Sequence, residues 1–170
     1  MPVTYKKIAS VTVTGSTAAN MEFTSIPSTY DDLILHISAR SNRGTAEDGL
    51  GLRLNSITTG YTYRNLTSNG STVASANTNF EQIWASRIPA STVTANTFGS
   101  VMVYLPSYAG STAKSYYTDG VTENNGTEAY MVLEAITNTT TAAISSITLT
   151  SINASLVQYS TATLYGIKRS

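Results

Sequence analysis

The chain has 170 residues, enough for one well-filled domain and short for two. Only 12 % of its residues are charged, against about 25 % in an ordinary soluble domain, so Ser, Thr and Asn carry most of the polarity. Because the formal net charge is zero, no general attraction to nucleic acid or to an anionic membrane is expected. The absence of cysteine excludes disulfide frameworks, thiolate nucleophiles and cysteine-ligated metals.

Hydrophobic residues make up 41 % of the chain and are regularly spaced, which argues against disorder. Residues 1–7 lead into polar alternation rather than into the apolar core of a signal peptide. Nowhere does an apolar run approach the about 20 residues that a membrane span needs. We therefore expect a folded protein that has no membrane partner.

In the first half of the chain, apolar and polar residues alternate in short runs that predict β-strands. The predicted strands are 5–13, 21–23, 31–40, 50–54 and a short edge strand at Tyr61, Tyr63 and Arg64. Residues 41–49 have the composition of a loop and the densest charge in the chain. The dipeptide Asn69-Gly70 is a strong signal for a hairpin turn.

A β-hairpin is predicted at the centre of the sequence, over residues 101–121. The run 101–105 is apolar in both alternating phases, which is typical of a strand hidden on both faces. Pro106 ends this strand because it cannot donate to a ladder, and the second strand covers 113–121. The further predicted strands are 80–88, 129–137, 147–153 and 157–167, with a turn at 124–126 between the hairpin and the next strand.

About ten short strands with turn signals between them, and no helical periodicity, predict an all-β protein. We expect one single-domain antiparallel β-sandwich over 1–170, and among sandwiches a jelly-roll-like fold fits this number of strands. No repeat of the length used by solenoids or propellers is present.

Residues that could carry chemistry are few. His36 is the only histidine, and the sequence shows no partners that would make it part of a triad or a metal site, so a surface or interface position is expected. A carboxylate pair meeting in space would allow glycoside hydrolysis, which stays open as a minor alternative. No calcium-loop spacing and no phosphate-binding glycine motif is present. We predict no enzyme, no cofactor and no metal.

Aromatic residues are dominated by tyrosine, with eleven Tyr, three Phe and one Trp. Tyrosine combines a large contact area with a hydrogen-bonding tip, so exposed tyrosines favour protein interfaces and sugar platforms. The alternative is that most of them cap the ends of the core. The candidate interface residues are five tyrosines in or beside turns, an adjacent arginine and three charged residues of the 41–49 loop: Tyr61, Tyr63, Arg64, Tyr108, Tyr116, Tyr117, Arg43, Glu47 and Asp48.

Both ends of the chain carry a little positive charge, at Lys6-Lys7 and at Lys168-Arg169. If the first and last strands pair, these residues form one small basic edge. Such an edge would protect an exposed strand from aggregation or meet an acidic partner.

Several stretches resemble a family of virion structural proteins of tailed bacteriophages, especially phages of cyanobacteria and other aquatic bacteria. They include FTSIPSTYDDL at 23–33 and the closing QYSTATLYGIK at 158–168. The others are 5–10, 38–42, 52–55, 96–100, 106–111 and 121–125. The resemblance spans nearly the whole chain and implies a non-enzymatic particle component with a jelly-roll-like fold, located on the capsid or in the tail.

From these features we expect a capsid decoration (cement) protein on the particle surface, assembled in the host cytoplasm. It would self-associate as a homotrimer and bind the major capsid protein, so that several modest interfaces give strong retention. The alternative is a tail- or fibre-associated β-sandwich that binds host surface glycans through its tyrosines. The compact length, without a fibrous repeat or a coiled-coil stalk, favours decoration over a complete fibre.

Overall fold

The structure is a computed structural model and describes residues 4–78, 84–122 and 129–169. Within these ranges every regular element is a β-strand, and no helix capable of crossing a bilayer is found there. The strands are β1 (Thr4–Thr12), β2 (Thr17–Ala18), β3 (Asn20–Phe23), β4 (Asp32–Ala39), β5 (Glu47–Leu54), β6 (Tyr61–Ser68), β7 (Val73–Thr78), β8 (Trp84–Pro89), β9 (Gly99–Pro106), β10 (Lys114–Thr122), β11 (Tyr130–Asn138), β12 (Ile147–Ser151), β13 (Leu156–Val157) and β14 (Thr161–Lys168).

A large sheet of eight antiparallel strands, in the order β1-β14-β4-β9-β10-β11-β6-β7, forms one layer. A four-stranded sheet in the order β3-β12-β5-β8 forms the second layer. β13 and β2 pair as a small ribbon beside them. The chain passes from one sheet to the other at several connections, for example from β3 to β4 to β5, as a jelly-roll-like sandwich requires.

The core lies between the two sheets, because each covers the apolar face of the other. From the large sheet come side chains such as Leu33, Leu35 and Val103, and from the small sheet Leu52 and Leu149, all with at most 1 % exposure. Contacts with β9, β10 and β11 place β8 under the middle of the large sheet, and β3 contacts β1 near one edge. The β6–β7 hairpin extends past the small sheet, so the side chains of 71–77 are exposed on both faces.

The predicted fold class is confirmed: the protein is an antiparallel all-β sandwich. The central hairpin is confirmed too, because β9 and β10 pair as the two middle strands of the large sheet. The hairpin at Asn69-Gly70 joins β6 and β7, and Gly70 has a φ of 89°, a conformation that glycine accepts at low cost. The first and last long strands pair, with Thr4 opposite Lys168.

Three details of the predicted elements were wrong. The segment 41–49 is not all loop, because β5 already begins at Glu47, where backbone pairing with Pro89 extends the strand. Tyr61 and its neighbours are not in an edge strand, because β7 covers that edge. The run 101–105 is not hidden on both faces, since Met102 and Tyr104 point away from the small sheet and are half-buried. The predicted turn at 124–126 and the first residues of the predicted strand 80–88 lie outside the described residues.

Gly166 gives a direct test of how closely Tyr30, in the connection between β3 and β4, packs on β14. A Cβ added there would overlap the ring of Tyr30, whereas one added at the exposed Gly44 would meet nothing within 4 Å. Gly166→Ala is therefore expected to lower the free energy of unfolding by about 1–3 kcal/mol, because a rigid ring must shift in a close-packed site. Urea unfolding of both variants measures this, with Gly44→Ala as the control. Equal midpoints for the two variants would contradict the packing described.

Candidate functional site

One face of the large sheet looks away from the small sheet, and among the described residues no other layer covers it. We call it the outer face. Among the described residues eight large apolar side chains are strongly exposed, and six of them lie on the outer face, on β6, β7, β10 and β11. Exposed apolar side chains clustered in this way mark interaction surfaces, whereas isolated ones are ordinary.

Five of these side chains form what we call the apolar patch: Leu66, Val73, Val121, Met131 and Leu133, with exposures of 40 to 70 %. Strand register makes them neighbours. Val121 lies opposite Met131, and Leu133 lies opposite Leu66 in the adjoining row. Because neighbouring strands are about 5 Å apart and rows on one face about 7 Å apart, the five residues form one continuous surface.

The apolar patch arises from an inversion of the usual strand polarity. Between Thr118 and Thr122 the positions facing the small sheet are Thr118, Gly120 and Thr122, while Asp119 and the apolar Val121 face outward. On β11 the buried position between the outward Met131 and Leu133 is Val132, and the next buried position is Glu134. A sandwich whose outer face stayed in water would show the opposite arrangement. The sequence therefore favours a covered outer face.

Beside the apolar patch, the same face contains a hollow of about 560 Å³, which we call the tyrosine groove. One row across the sheet runs Tyr104, Tyr117, Ala135, Arg64, each opposite the next on neighbouring strands. The small Ala135 forms the floor between the tyrosine rings and the arginine. A parallel row of hydroxyl side chains, from Ser115 through Thr137 to Thr62, lies at one end.

The tyrosine wall of the groove is held in place by a charged network. The Tyr104 hydroxyl donates to Asp32 Oδ2 at 2.9 Å, and its ring lies 5.4 Å from that of Tyr117. Asp32 is buried and also accepts from Arg169 Nη2 at 2.9 Å and from the Ser107 N–H at 3.0 Å. Burial, followed by the hydrogen bond to Asp32, raises the pKa of Tyr104, so its hydroxyl stays protonated and keeps donating. The ring is thereby pre-organised.

On the inner side of β10 and β11, and on β8 beneath them, polar groups are buried without hydrogen-bond partners among the described residues. They are Ser86 Oγ, Tyr116 OH, Thr118 Oγ1 and Glu134 Oε2. Glu134 lies opposite Thr118 on the neighbouring strand and is 4 % exposed. Burial raises the pKa of the Glu134 carboxyl to about 7, against the opposing effect of the Arg87 guanidinium. A buried carboxyl of this kind makes the stability of the sandwich depend on pH.

The five predicted interface tyrosines separate into two groups. Only Tyr117 is exposed, at 46 %. Tyr61, Tyr108 and Tyr116 are at most 5 % exposed, so the expectation that they lie on the surface was wrong, and the alternative that they cap the core describes them. The reason is strand phase: Tyr116 and Tyr117 are adjacent and must face opposite ways. Tyr63 faces the small-sheet side, where it packs against the core while half-buried.

The hydroxyls of two buried tyrosines explain why they point inward. Tyr61 OH accepts the N–H of Leu54 at 3.0 Å, and Tyr108 OH donates to the carbonyl of Pro27. Each ring thus connects one element to another through a satisfied hydrogen bond. Of the predicted interface residues, Arg64 also lies on the outer face, as Tyr117 does.

Arg43, Glu47 and Asp48 are held within the chain rather than presented by a solvated loop. Asp48 is 2 % exposed and accepts from the side chains of Ser151 and Asn153, with Arg43 Nη1 at 3.5 Å. Glu47 pairs with Arg87. The predicted solvated loop was wrong here, because the carboxylate of Asp48 tethers the start of β5 to the end of β12.

Arg87 links Glu47 to the aromatic end of the sandwich. Its guanidinium carbon lies 4.7 Å from the centre of the Tyr130 ring and 6.0 Å from that of Trp84. Cation–π contacts of this kind complete the environment of the arginine. Any contact between this region and another subunit would therefore compete with these internal contacts.

His36 is exposed on the outer face, as the sequence predicted, and its ring stacks edge-on against Tyr165 at 5.8 Å. The basic residues at the end of the chain are paired within it: Lys168 Nζ lies 3.2 Å from Asp31 and Arg169 lies 2.9 Å from Asp32. Lys6 and Lys7, the other half of the predicted basic edge, are exposed on the edge strand β1.

Sequence reasoning missed Tyr104 and Ala135, which shape the tyrosine groove. Tyr104 was counted as part of an apolar run hidden on both faces. The signal that distinguishes the two faces was strand phase. Met102 and Tyr104 alternate with Val101, Val103 and Leu105, so they must point to the opposite face. Ala135 carries no signal of its own, because its importance comes from the larger side chains on the neighbouring strands.

Comparison with known proteins adds a weak likeness. No protein-family model matches the chain, and no curated protein matches it. Among solved structures, the crystal structure of Caenorhabditis elegans galectin LEC-6 is similar, with 8 % sequence identity and a TM-score of 0.38. The match covers 94 % of this chain and 96 % of that one.

The pKa of Glu134 predicts a pH-dependent stability. Its neutral form is favoured in the folded state, so the stabilisation is fully present below about pH 4.5 and is lost as pH rises through about 7. Glutamine at position 134 cannot ionise, so in Glu134→Gln this loss of stability at high pH does not occur. At pH 8 the variant is expected to be more stable than wild type by up to about 3 kcal/mol, at about 1.4 kcal/mol for each pH unit between the two pKa values.

Urea unfolding from pH 4.5 to 8.5 measures the effect, and the two proteins should converge at the acid end. Glu22→Gln, at an exposed carboxyl of β3, is the matched control. A difference between wild type and Glu134→Gln that stayed constant over this range would show that Glu134 does not titrate as described.

Proposed function

We propose that this protein is a structural component of a tailed-bacteriophage particle, a capsid decoration (cement) protein. It binds the major capsid protein on the outside of the shell and acts mechanically rather than by catalysis. The observation that carries the proposal is the apolar patch on an outer face that nothing in the described chain covers. The resemblance of the sequence to phage virion proteins is the reason for placing the protein in a phage particle.

The chemistry of the apolar patch suits a lasting contact between proteins. Its members are aliphatic or thioether side chains, with Asp119 exposed among them opposite Leu133. Burying them removes apolar surface from water, which contributes about 25 cal/mol for each Å². A contact of this kind is little weakened by salt, unlike one formed by surface ion pairs. Such a surface supports retention on a shell.

Self-association would multiply the effect of each contact. In a homotrimer, three apolar patches would engage neighbouring shell subunits together, and release would need all three to separate at once. Since the sandwich is a rigid packed body, the positions of the patches relative to one another would be fixed. Modest single interfaces would then stabilise the shell strongly.

A second candidate function is a tail- or fibre-associated module that binds host surface glycans. The observation that favours it is the tyrosine groove, where two aromatic rings stand beside an arginine on the same face. Copy number separates the two candidates. Quantitative mass spectrometry of purified virions should find hundreds of copies for a shell protein, and a few dozen or fewer for a tail protein.

Met131→Asp tests the apolar patch directly. Met131 is 45 % exposed, so the substitution should leave the unfolding midpoint close to that of wild type. Binding to expanded capsids that lack this protein is expected to fall at least about tenfold, because a carboxylate would be buried against an apolar partner. Cosedimentation with the capsids measures it.

Tyr159→Asp is the matched control, since Tyr159 is 64 % exposed in the turn before β14 and not on the outer face. It should bind as wild type does. If Met131→Asp and wild type bind capsids equally well, the apolar patch is not part of the interface. Failure of wild type itself to bind capsids would end the decoration hypothesis.

A further inference from the structure

We propose that the tyrosine groove is a binding site for an acidic saccharide, a sugar ring that carries a carboxylate. The inference goes beyond shell binding and does not depend on where in the particle the protein sits. It stands on the arrangement of the groove: an aromatic wall, a small floor, an arginine opposite the wall and hydroxyl groups at one end.

The aromatic wall matches the apolar face of a sugar ring. Tyr104 and Tyr117 lie 5.4 Å apart with their planes inclined at 39°, so they present a shallow angled surface rather than a flat stack. Asp32 fixes the Tyr104 ring through its hydroxyl. Because the Tyr104 ring is already ordered, binding against it costs little conformational entropy.

The groove is open at its floor because Ala135 stands between larger neighbours. A second hollow of about 350 Å³ lies on the other side of the Tyr117–Ala135–Arg64 row and shares its lining with the first. Together they form a channel across β10, β11 and β6 that is longer than one sugar ring. A chain of sugars therefore fits the site better than a single monosaccharide.

Arg64 supplies the preference for a negative charge. One of its N–H groups donates to the Tyr63 carbonyl at 3.0 Å, and among the described residues no carboxylate pairs with it. The remaining donors of the guanidinium fork can bind a carboxylate in the bidentate geometry that arginine favours. The hydroxyls of Ser115 and Thr137 provide donors and acceptors for sugar hydroxyls at the other end.

A saccharide fits better than an acidic peptide because of the backbone beneath the groove. β10, β11 and β6 are interior strands, each paired on both sides, so their N–H and C=O groups are already used in the ladders. An extended peptide would find no main-chain partners there, whereas peptide recognition by sheets uses free strand edges. A sugar needs only side chains and ring faces.

The test uses immobilised polygalacturonate, the same polymer after methyl esterification, and poly-glutamate. Wild type should bind polygalacturonate and bind the ester about tenfold more weakly, because the ester keeps the rings and removes the charge. Arg64→Gln should bind both polymers at the level of the ester. Ala135→Phe, which fills the floor, should bind neither.

Ala143→Phe, the same substitution at an exposed position in the loop between β11 and β12, is the matched control and should bind as wild type does. Unfolding midpoints establish that each variant is folded. The proposal is overturned if wild type does not bind polygalacturonate, if Ala135→Phe binds it undiminished, or if poly-glutamate binds equally well, which would indicate an acidic peptide site.

Met131→Asp keeps this result separate from the proposed function: Leu66 and Leu133 of the apolar patch line the second hollow, but Met131 lines neither hollow. That variant should lose capsid binding and retain polygalacturonate binding. If every groove variant lost capsid binding together with saccharide binding, the two surfaces would be one interface. That result would overturn the proposal of a separate saccharide site.

Discussion

The structure depends on packing an eight-stranded sheet against a four-stranded one. A sheet buries one face against its partner, and a partner of half the strand number covers only part of that face. The β6–β7 hairpin therefore extends beyond the small sheet. As in any two-layer sandwich, the outer face of the large sheet has no third layer over it among the described residues. The features that point to function lie in these uncovered regions.

The chain has distributed its polar residues in agreement with that geometry. Along β10 and β11 the buried side holds Thr118, Glu134 and other groups without partners among the described residues, while the outward side holds Val121, Met131 and Leu133. Each arrangement alone costs stability, because buried polar groups lose water and exposed apolar groups keep it. A sandwich can tolerate both arrangements on the same strands if its outer face is covered by another surface. The buried Glu134 then adds sensitivity to pH.

Most of the strands could be predicted from the sequence, because alternation is a local property. Val101, Val103 and Leu105 fix the phase of β9, and Asn69-Gly70 fixes the β6–β7 turn. Which side of a strand is buried is not local. Tyr116 and Tyr117 have the same side chain and differ only in phase, so their burial depends on where β8 packs. Asp48 could not be predicted as buried, because its partners Ser151 and Asn153 are about a hundred residues away in the chain.

The hairpin of β6 and β7 has a consequence for the kinetics of any encounter. Its distal strand is paired on one side only and has few buried contacts, so it should exchange its amide hydrogens well before the central strands do. Val73 and Arg64, one in each proposed surface, are carried by this pair of strands. A partner bound at either surface would therefore hold down the strands that open most readily, so part of its binding energy would be used to order the hairpin.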